Sequence, residues 1–341
     1  MDALQTLREL VALPGPPGQE AAVRDAVARH LDALGLSHRT DAKGNLIVGS
    51  EHPRIVVTAH LDEIAMIVRR VEGDGRLRVC PLGGLYPWKL GEGPVQVLAS
   101  GGPIDGVLSF GSVHTSDPAS NVRQAESSSL TWDQAHVLVG QSVQDLERMG
   151  VRPGTRVVVH PMRRELMELV PWIGGYFLDD RADLVAWLLA LEALGRLPEG
   201  VMFAATAAEE VGGEGALYLL SEFRPEVCIA LELGPAVVDA PVALDDRPTV
   251  WATDSYATMA AADGDLVAEV ATTAGIAIQW QALSSGGSDA SCAASHGLCA
   301  RPFTLGLPMA NSHGFEVIHP GSMAALAKLT VALIERIARD S

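Results

Sequence analysis

Two adjacent carboxylates, Glu209 and Glu210, close the apolar run Val-Met-Phe-Ala-Ala-Thr-Ala-Ala (201–208) and stand before Val-Gly-Gly. Residues 201–206 read as a buried parallel strand, and chemistry in open α/β sheets gathers at the carboxyl ends of such strands. Two like charges at the rim of a core repel each other and lose hydration. They need a cation or other compensation to stay ionised there. A metal is therefore the first chemistry to test, and a solvated turn is the bland alternative.

Other ligand types sit at comparable places. His60-Leu61-Asp62-Glu63 follows the strand pattern Ile-Val-Val-Thr-Ala (55–59). A histidine at a strand end with a carboxylate two residues on suits a ligand and its orienter, because the free ring N–H needs an acceptor. Asp179-Asp180-Arg181 lies between Gly174-Gly175 and a helix beginning near Arg181; taken alone, an ordinary acidic helix start is the plainer reading. Glu232 falls inside Ile-Ala-Leu-Glu-Leu-Gly, a costly place for a carboxylate unless it is paired. His313, in Pro-Met-Ala-Asn-Ser-His-Gly-Phe-Glu (308–316), is a late loop histidine with His319 as its competitor. Two imidazoles with three carboxylates form a mixed set that suits zinc, cobalt or manganese. A further carboxylate beside a ligand is what metal-assisted hydrolysis needs as a general base.

The elements that must position these groups alternate at both ends of the chain. Apolar spacing predicts helices at 3–13 and 19–34, a turn at Asp41–Asn45 and a strand at 55–59. From about 65 to 168 short β-type runs (64–68, 95–98, 104–110, 136–139, 156–159) are broken by Gly and Pro, with one helix at 142–149 and a polar, mobile loop at 116–134. Helix–strand alternation resumes with helix 181–194, strand 201–206, helix 214–223 and strand 227–233. Helix 263–274, strand 276–280, helix 289–295, strand 299–305 and helix 321–338 complete it. This pattern is an α/β domain with a second domain inserted.

At 341 residues, with 48% hydrophobic and 20% charged residues, the chain is long and apolar enough for a full core. A net charge of −17 argues against nucleic acid or an anionic membrane as partner. The scattered Cys80, Cys228, Cys292 and Cys299 form no C-x-x-C pair, so neither disulfides nor a cysteine-rich zinc site is expected. The first residues show no secretory pattern and no stretch approaches spanning length, so a cytoplasmic protein is expected.

Six motifs in order carry a family resemblance: Asp-Ala-Lys-Gly-Asn-Leu (41–46), Ala-His-Leu-Asp-Glu-Ile (59–64), Leu-Asp-Asp-Arg (178–181), Ala-Glu-Glu-Val-Gly (208–212), Gly-Gly-Ser-Asp-Ala (286–290) and Ser-His-Gly-Phe-Glu (312–316). The chain resembles the M42 family of dinuclear metallo-aminopeptidases, which includes the glutamyl and tetrahedral (TET) aminopeptidases. The resemblance implies a mixed-sheet, zinc-peptidase α/β fold (phosphorylase/hydrolase-like). Its catalytic domain would occupy 1–64 and 169–341, with an inserted β-rich dimerisation domain at 65–168.

It further implies two divalent ions per subunit, zinc first with cobalt or manganese as alternatives. Asp179 would bridge them, His60 and Glu232 completing one site and Glu210 and His313 the other. Glu209 would be the general base for a water held between the ions, Asp62 would orient His60, and the Asp179–Asp180 peptide would be cis. Gly286, Gly287, Ser288 and Asp289 would line the pocket for the N-terminus of a short peptide. Homodimers, assembling further to a dodecamer, are implied as well. The family usually has Asp where this chain has Glu232. Rival readings are a deacetylase or carboxypeptidase on the same scaffold, which needs a basic residue (Arg181 or Arg301) for a substrate carboxylate, and a non-catalytic assembly protein.

Overall fold

In the computed structural model, which describes residues 1–339, the chain divides into two compact units. The first comprises Met1–Glu63, Leu166–Ser312 and Glu316 onward; the second comprises Ile64–Glu165 with His313–Phe315.

The first unit is built on an 11-stranded mixed sheet. Its main order is His38–Thr40, Leu46–Gly49, Val201–Thr206, Ile55–His60, Val227–Pro235, Arg301–Ala310, Phe315–Ile318, Trp172–Tyr176 and Met167–Leu169. Thr249–Thr253 and Gln279–Ala282 pair off Arg301–Ala310. The four central strands, from Val201–Thr206 to Arg301–Ala310, run parallel. They are apolar on both faces because helices cover both.

Side-chain alternation assigns the faces. Val201, Phe203 and Ala205 join one core with Val57, Ile229 and helices Ala3–Ala12, Ala21–Ala33, Leu178–Leu194 and Ser322–Arg339. Met202 and Ala204 join another with Val56, Cys228 and helices Glu214–Phe223 and Asp289–Ser295. Trp187 seals the first core, meeting Phe203 edge-on at 5.5 Å and donating its Nε1–H to the Val57 carbonyl at 3.3 Å.

The second unit is a closed six-stranded barrel in the order Ala65–Val71, Leu77–Leu82, His136–Leu138, Gly102–Ser109, Gly93–Ala99 and Arg156–Val159. Arg156–Val159 pairs back to Ala65–Val71, so the sheet has no open edge. Alternate residues Val95, Val97, Ile104, Leu108, Val137 and Val157 fill the interior.

Some sequence expectations are corrected here. The expected strand at 276–280 lies at Gln279–Ala282, and the one at 299–305 at Arg301–Ala310. Segment 116–134 is not loop throughout: Ser120 caps a helix Asn121–Ala125, and a capping box on Thr131 and Gln134 closes a turn at Trp132–Gln134. The 65–168 stretch also holds the short helix Pro87–Leu90 beside the expected one, found at Val143–Arg148. Among the described residues, no helix is long and apolar enough to cross a membrane.

Candidate metal centre

His60 ends its parallel strand next to Thr206, the last residue of the neighbouring strand. Both chains then turn out of the sheet at the same level, bringing Asp62 beneath Glu209-Glu210. Asp62 is fully buried; its Oδ1 accepts the backbone N–H of Glu209 at 2.9 Å and its Oδ2 that of Glu210 at 3.1 Å. The His60 ring has Nδ1 3.2 Å from the Asp62 carbonyl and 3.4 Å from its Oδ1. On the other side Nε2 lies 3.2 Å from Asp179 Oδ1.

The first motif supports the same loop. Asp41 Oδ1 accepts the backbone N–H groups of Lys43, Gly44 and Asn45, each at 2.9 Å, which folds the 41–45 turn. Asn45 Oδ1 in turn accepts the Ala207 N–H at 2.9 Å, anchoring the residues just ahead of Glu209.

Asp179 and Asp180 precede the regular part of helix Leu178–Leu194 with non-helical dihedrals, and the peptide between them is cis. Asp180 Oδ2 accepts the His60 backbone N–H at 2.6 Å. The Asp179 N–H donates to Glu316 Oε2 at 3.0 Å. Arg181 is buried; it donates to the Leu61 and Asp62 carbonyls at 2.6 and 3.2 Å and pairs with buried Glu63 at 2.9 Å. Glu232 is buried on its strand, its Oε1 accepting the Leu233 N–H at 2.9 Å.

His60, Asp179, Asp180 and Glu232, all buried, offer one ligand atom each within 4.8 Å of one another. Glu209 and Glu210 are half-buried above Asp62. His313 is counted with the second unit, where its Nδ1 lies 2.8 Å from the Gly84 carbonyl.

The 286–289 stretch divides. Gly286 is exposed and Gly287 lies against the Tyr256 ring, where an added Cβ would come within 2.2 Å. Ser288 is buried and caps helix Asp289–Ser295, its hydroxyl 2.7 Å from Thr304 Oγ1. Asp289 is buried and accepts from Thr206 Oγ1 at 2.6 Å.

The electrostatics reflect this crowding. Loss of hydration raises the carboxyls of Asp180, Glu232 and Glu209 well above their usual range, and neighbouring carboxylates add to it: Asp183 for Asp180, Asp179 for Glu232, Asp289 and Glu210 for Glu209. Burial likewise pushes Asp183 up to about 7 and Asp289 to about 6. Burial opposes charge on His60, yet Asp180, Asp179 and Asp62 outweigh it and raise the imidazole well above its usual range. Asp180 Oδ1 is buried without a hydrogen-bond partner. This is an excess of buried negative charge with oxygen and imidazole donors converging, which a divalent cation compensates.

Sequence reasoning missed Asp183 and the support given by Glu316, Thr206 and Asn45. Glu316 and Asn45 lie inside motifs already quoted. Asp183 stands two residues after Arg181 in an otherwise apolar helix face, and that placement is its only sequence signal.

A sequence profile of the M42 glutamyl aminopeptidases matches residues 44–329. The chain is 30% identical to a lysyl aminopeptidase of Pyrococcus furiosus over 67% of its own length and 66% of that protein. It is 25% identical to a glutamyl aminopeptidase of Lactococcus lactis over 69% and 68%. The aligned part thus spans about two thirds of these curated relatives. Similarity to a solved TET1 peptidase of Pyrococcus horikoshii, described as assembling into a tetrahedron or a large octahedral shell, is nearly end to end. It covers 97% of this chain and 99% of that one, at 27% identity and a TM-score of 0.86. With the profile covering most of its residues and the mixed-sheet fold shared throughout, the chain belongs to the M42 glutamyl aminopeptidase family, a family of hydrolases.

Proposed function

We propose that the chain is a metal-dependent aminopeptidase that removes N-terminal residues from short peptides, with Glu209 as general base. The observation that carries this reading is the buried convergence of His60, Asp179, Asp180 and Glu232, with His60 at the end of one parallel strand, Glu232 within another and the two aspartates at a helix start. Two divalent ions, zinc before cobalt or manganese, would supply the positive charge that makes water nucleophilic at neutral pH and neutralises a developing oxyanion. One ion would be held by His60, Asp179 and Glu232. The second would share Asp179 with Glu210 and His313, as the family resemblance implies.

The protein's own part is to move a proton and hold the geometry. Glu209 takes a proton from the attacking water and returns it to the leaving amine. Its raised affinity for a proton, caused by burial and the carboxylates around it, suits a group that must carry one between the two steps. Asp62 fixes the Glu209 backbone and the His60 ring together. Gly286 and Gly287 would let a peptide backbone approach, while Ser288 and Asp289 hold that loop from beneath.

The carboxypeptidase or deacetylase alternative loses support because both basic candidates are committed. Arg181 is buried against Glu63, and Arg301 pairs with Asp263 and Glu226. Homodimers built through the 65–168 region and a closed dodecamer, implied by the family resemblance, are part of the proposal. The test is a metal-reconstituted assay against aminoacyl p-nitroanilides and N-acyl amino acids, with native mass for assembly. Turnover of the first set only, at two ions per chain, is expected. Hydrolysis of the N-acyl set alone would overturn the reading.

A further inference from the structure

On the second unit, a cleft of ≈ 290 Å³ is lined by Arg69, Arg70, Arg78, Val79, Trp132 and Asp133. Three guanidiniums in one cleft are conspicuous in a chain of net charge −17. The backbone sets them there. A register shift between Val68 and Arg70 inserts Arg69 as an extra residue in the ladder. It breaks the in–out alternation, so the consecutive Arg69 and Arg70 are both exposed.

Arg70 stands directly opposite Arg78 across the ladder, a like-charge pairing that costs stability without compensation. Glu72 compensates in part, accepting from Arg70 Nε and Nη2 at 3.1 and 2.9 Å and from Arg78 Nε at 2.9 Å. Arg78 also spans to the Asp133 and Ala135 carbonyls at 2.9 and 3.4 Å. Arg69 reaches the Asp133 carboxylate only at 3.6 Å, and both side chains are largely exposed. Such a pair contributes little and gives way to a stronger anion. Three positive groups thus face two carboxylates, an excess of one.

Val79 and Trp132 add apolar lining. Trp132 sits in the turn closed by Thr131 and Gln134, and its Nε1–H donates to the Leu85 carbonyl at 2.8 Å. That bond holds the indole in place.

We propose that this cleft binds a small phosphorylated ligand with a flat ring, of the 5′-mononucleotide class. The phosphate would lie on Arg69 and Arg70, whose planar forks match phosphate geometry. The ring would stack on Trp132. The volume lies at the small end of ligand pockets, about 300 Å³, which suits one nucleotide rather than a polymer.

Calorimetric titration of the full chain with AMP, adenosine and inorganic phosphate tests this. One AMP should bind per chain, with adenosine and phosphate each at least about tenfold weaker because each uses half of the site. Affinity should fall as salt rises. Arg69→Ala alters an exposed side chain and should weaken AMP about tenfold or more, with Arg69→Lys intermediate. Absence of saturable AMP binding, phosphate binding as tightly as AMP, or undiminished affinity in Arg69→Ala would each overturn the proposal.

Discussion

Asp62 Oδ1 accepts the backbone N–H of Glu209 at 2.9 Å, deep in a site where Asp62 itself is fully buried. The same carboxylate holds the next N–H along and lies against the His60 ring. One side chain therefore ties together three groups that the proposed chemistry needs in register.

Asp62→Asn keeps one acceptor oxygen but presents an amide to the other N–H, which then has no acceptor. Metal affinity and kcat/KM should each fall about 10–100-fold, with the circular dichroism unchanged. Chelator competition and steady-state kinetics provide the check, and wild-type values in both would refute the role.

Glu209→Gln removes the proton acceptor while keeping size and backbone contacts. We expect two ions per chain by elemental analysis and kcat reduced about 10²–10⁴-fold. A variant of near-normal rate would sink the assignment of the base.

Stability of the metal-free protein should depend on pH in a defined direction. Asp180, Asp183, Glu209, Glu232 and Asp289 all have raised folded-state values, as does His60. A raised group stabilises the fold fully below its unfolded value. That contribution is lost as pH rises through the folded values, about 6 for Asp289 and about 7 for Asp183. The urea midpoint of metal-free protein should fall from about pH 5 to about pH 8, and Zn²⁺ or Mn²⁺ should flatten the slope by replacing protons with cation charge. A metal-free midpoint constant over that window contradicts the electrostatic account.

Arg181→Leu should destabilise strongly, because it removes the guanidinium that pairs with buried Glu63 and donates to the Leu61 and Asp62 carbonyls. A loss of about 3–5 kcal/mol is expected, read by urea denaturation of the metal-loaded protein. A loss below about 1 kcal/mol would show the pair to be dispensable.

Much of the fold is legible where local signals agree. Strand Val201–Thr206 and helices Glu214–Phe223 and Asp289–Ser295 lie at the residues expected, the last because Ser288 is a strong cap. Arg301–Ala310 extends past its expected end because Gly306 and Pro308 look like breakers. Gly306 is instead demanded by packing: a Cβ there would come within 2.4 Å of the Glu232 carbonyl and 2.7 Å of Thr249 Oγ1. Thr249–Thr253 escapes a sequence reading because it is a short strand without marked alternation, paired with strands distant in sequence. At the site, ligand candidates are legible as carboxylates and imidazoles after strands. The N–H groups that Asp62 and Glu316 hold are not, because a backbone donor carries no sequence signature.

The double grip of Asp62 also bears on how this scaffold can diversify. The turn carrying Glu209 and Glu210 hangs by its own amides from the loop that follows a neighbouring strand, ahead of Gly212-Gly213. Its carbonyls are held from the other side, that of Glu209 accepting the N–H groups of Gly212 and Gly213 at 2.9 and 2.8 Å and that of Ala207 the N–H of Gly215 at 2.9 Å. On the turn itself only main-chain groups make these contacts, so the side chains around Glu209 can be exchanged while the proton-handling group stays where it was.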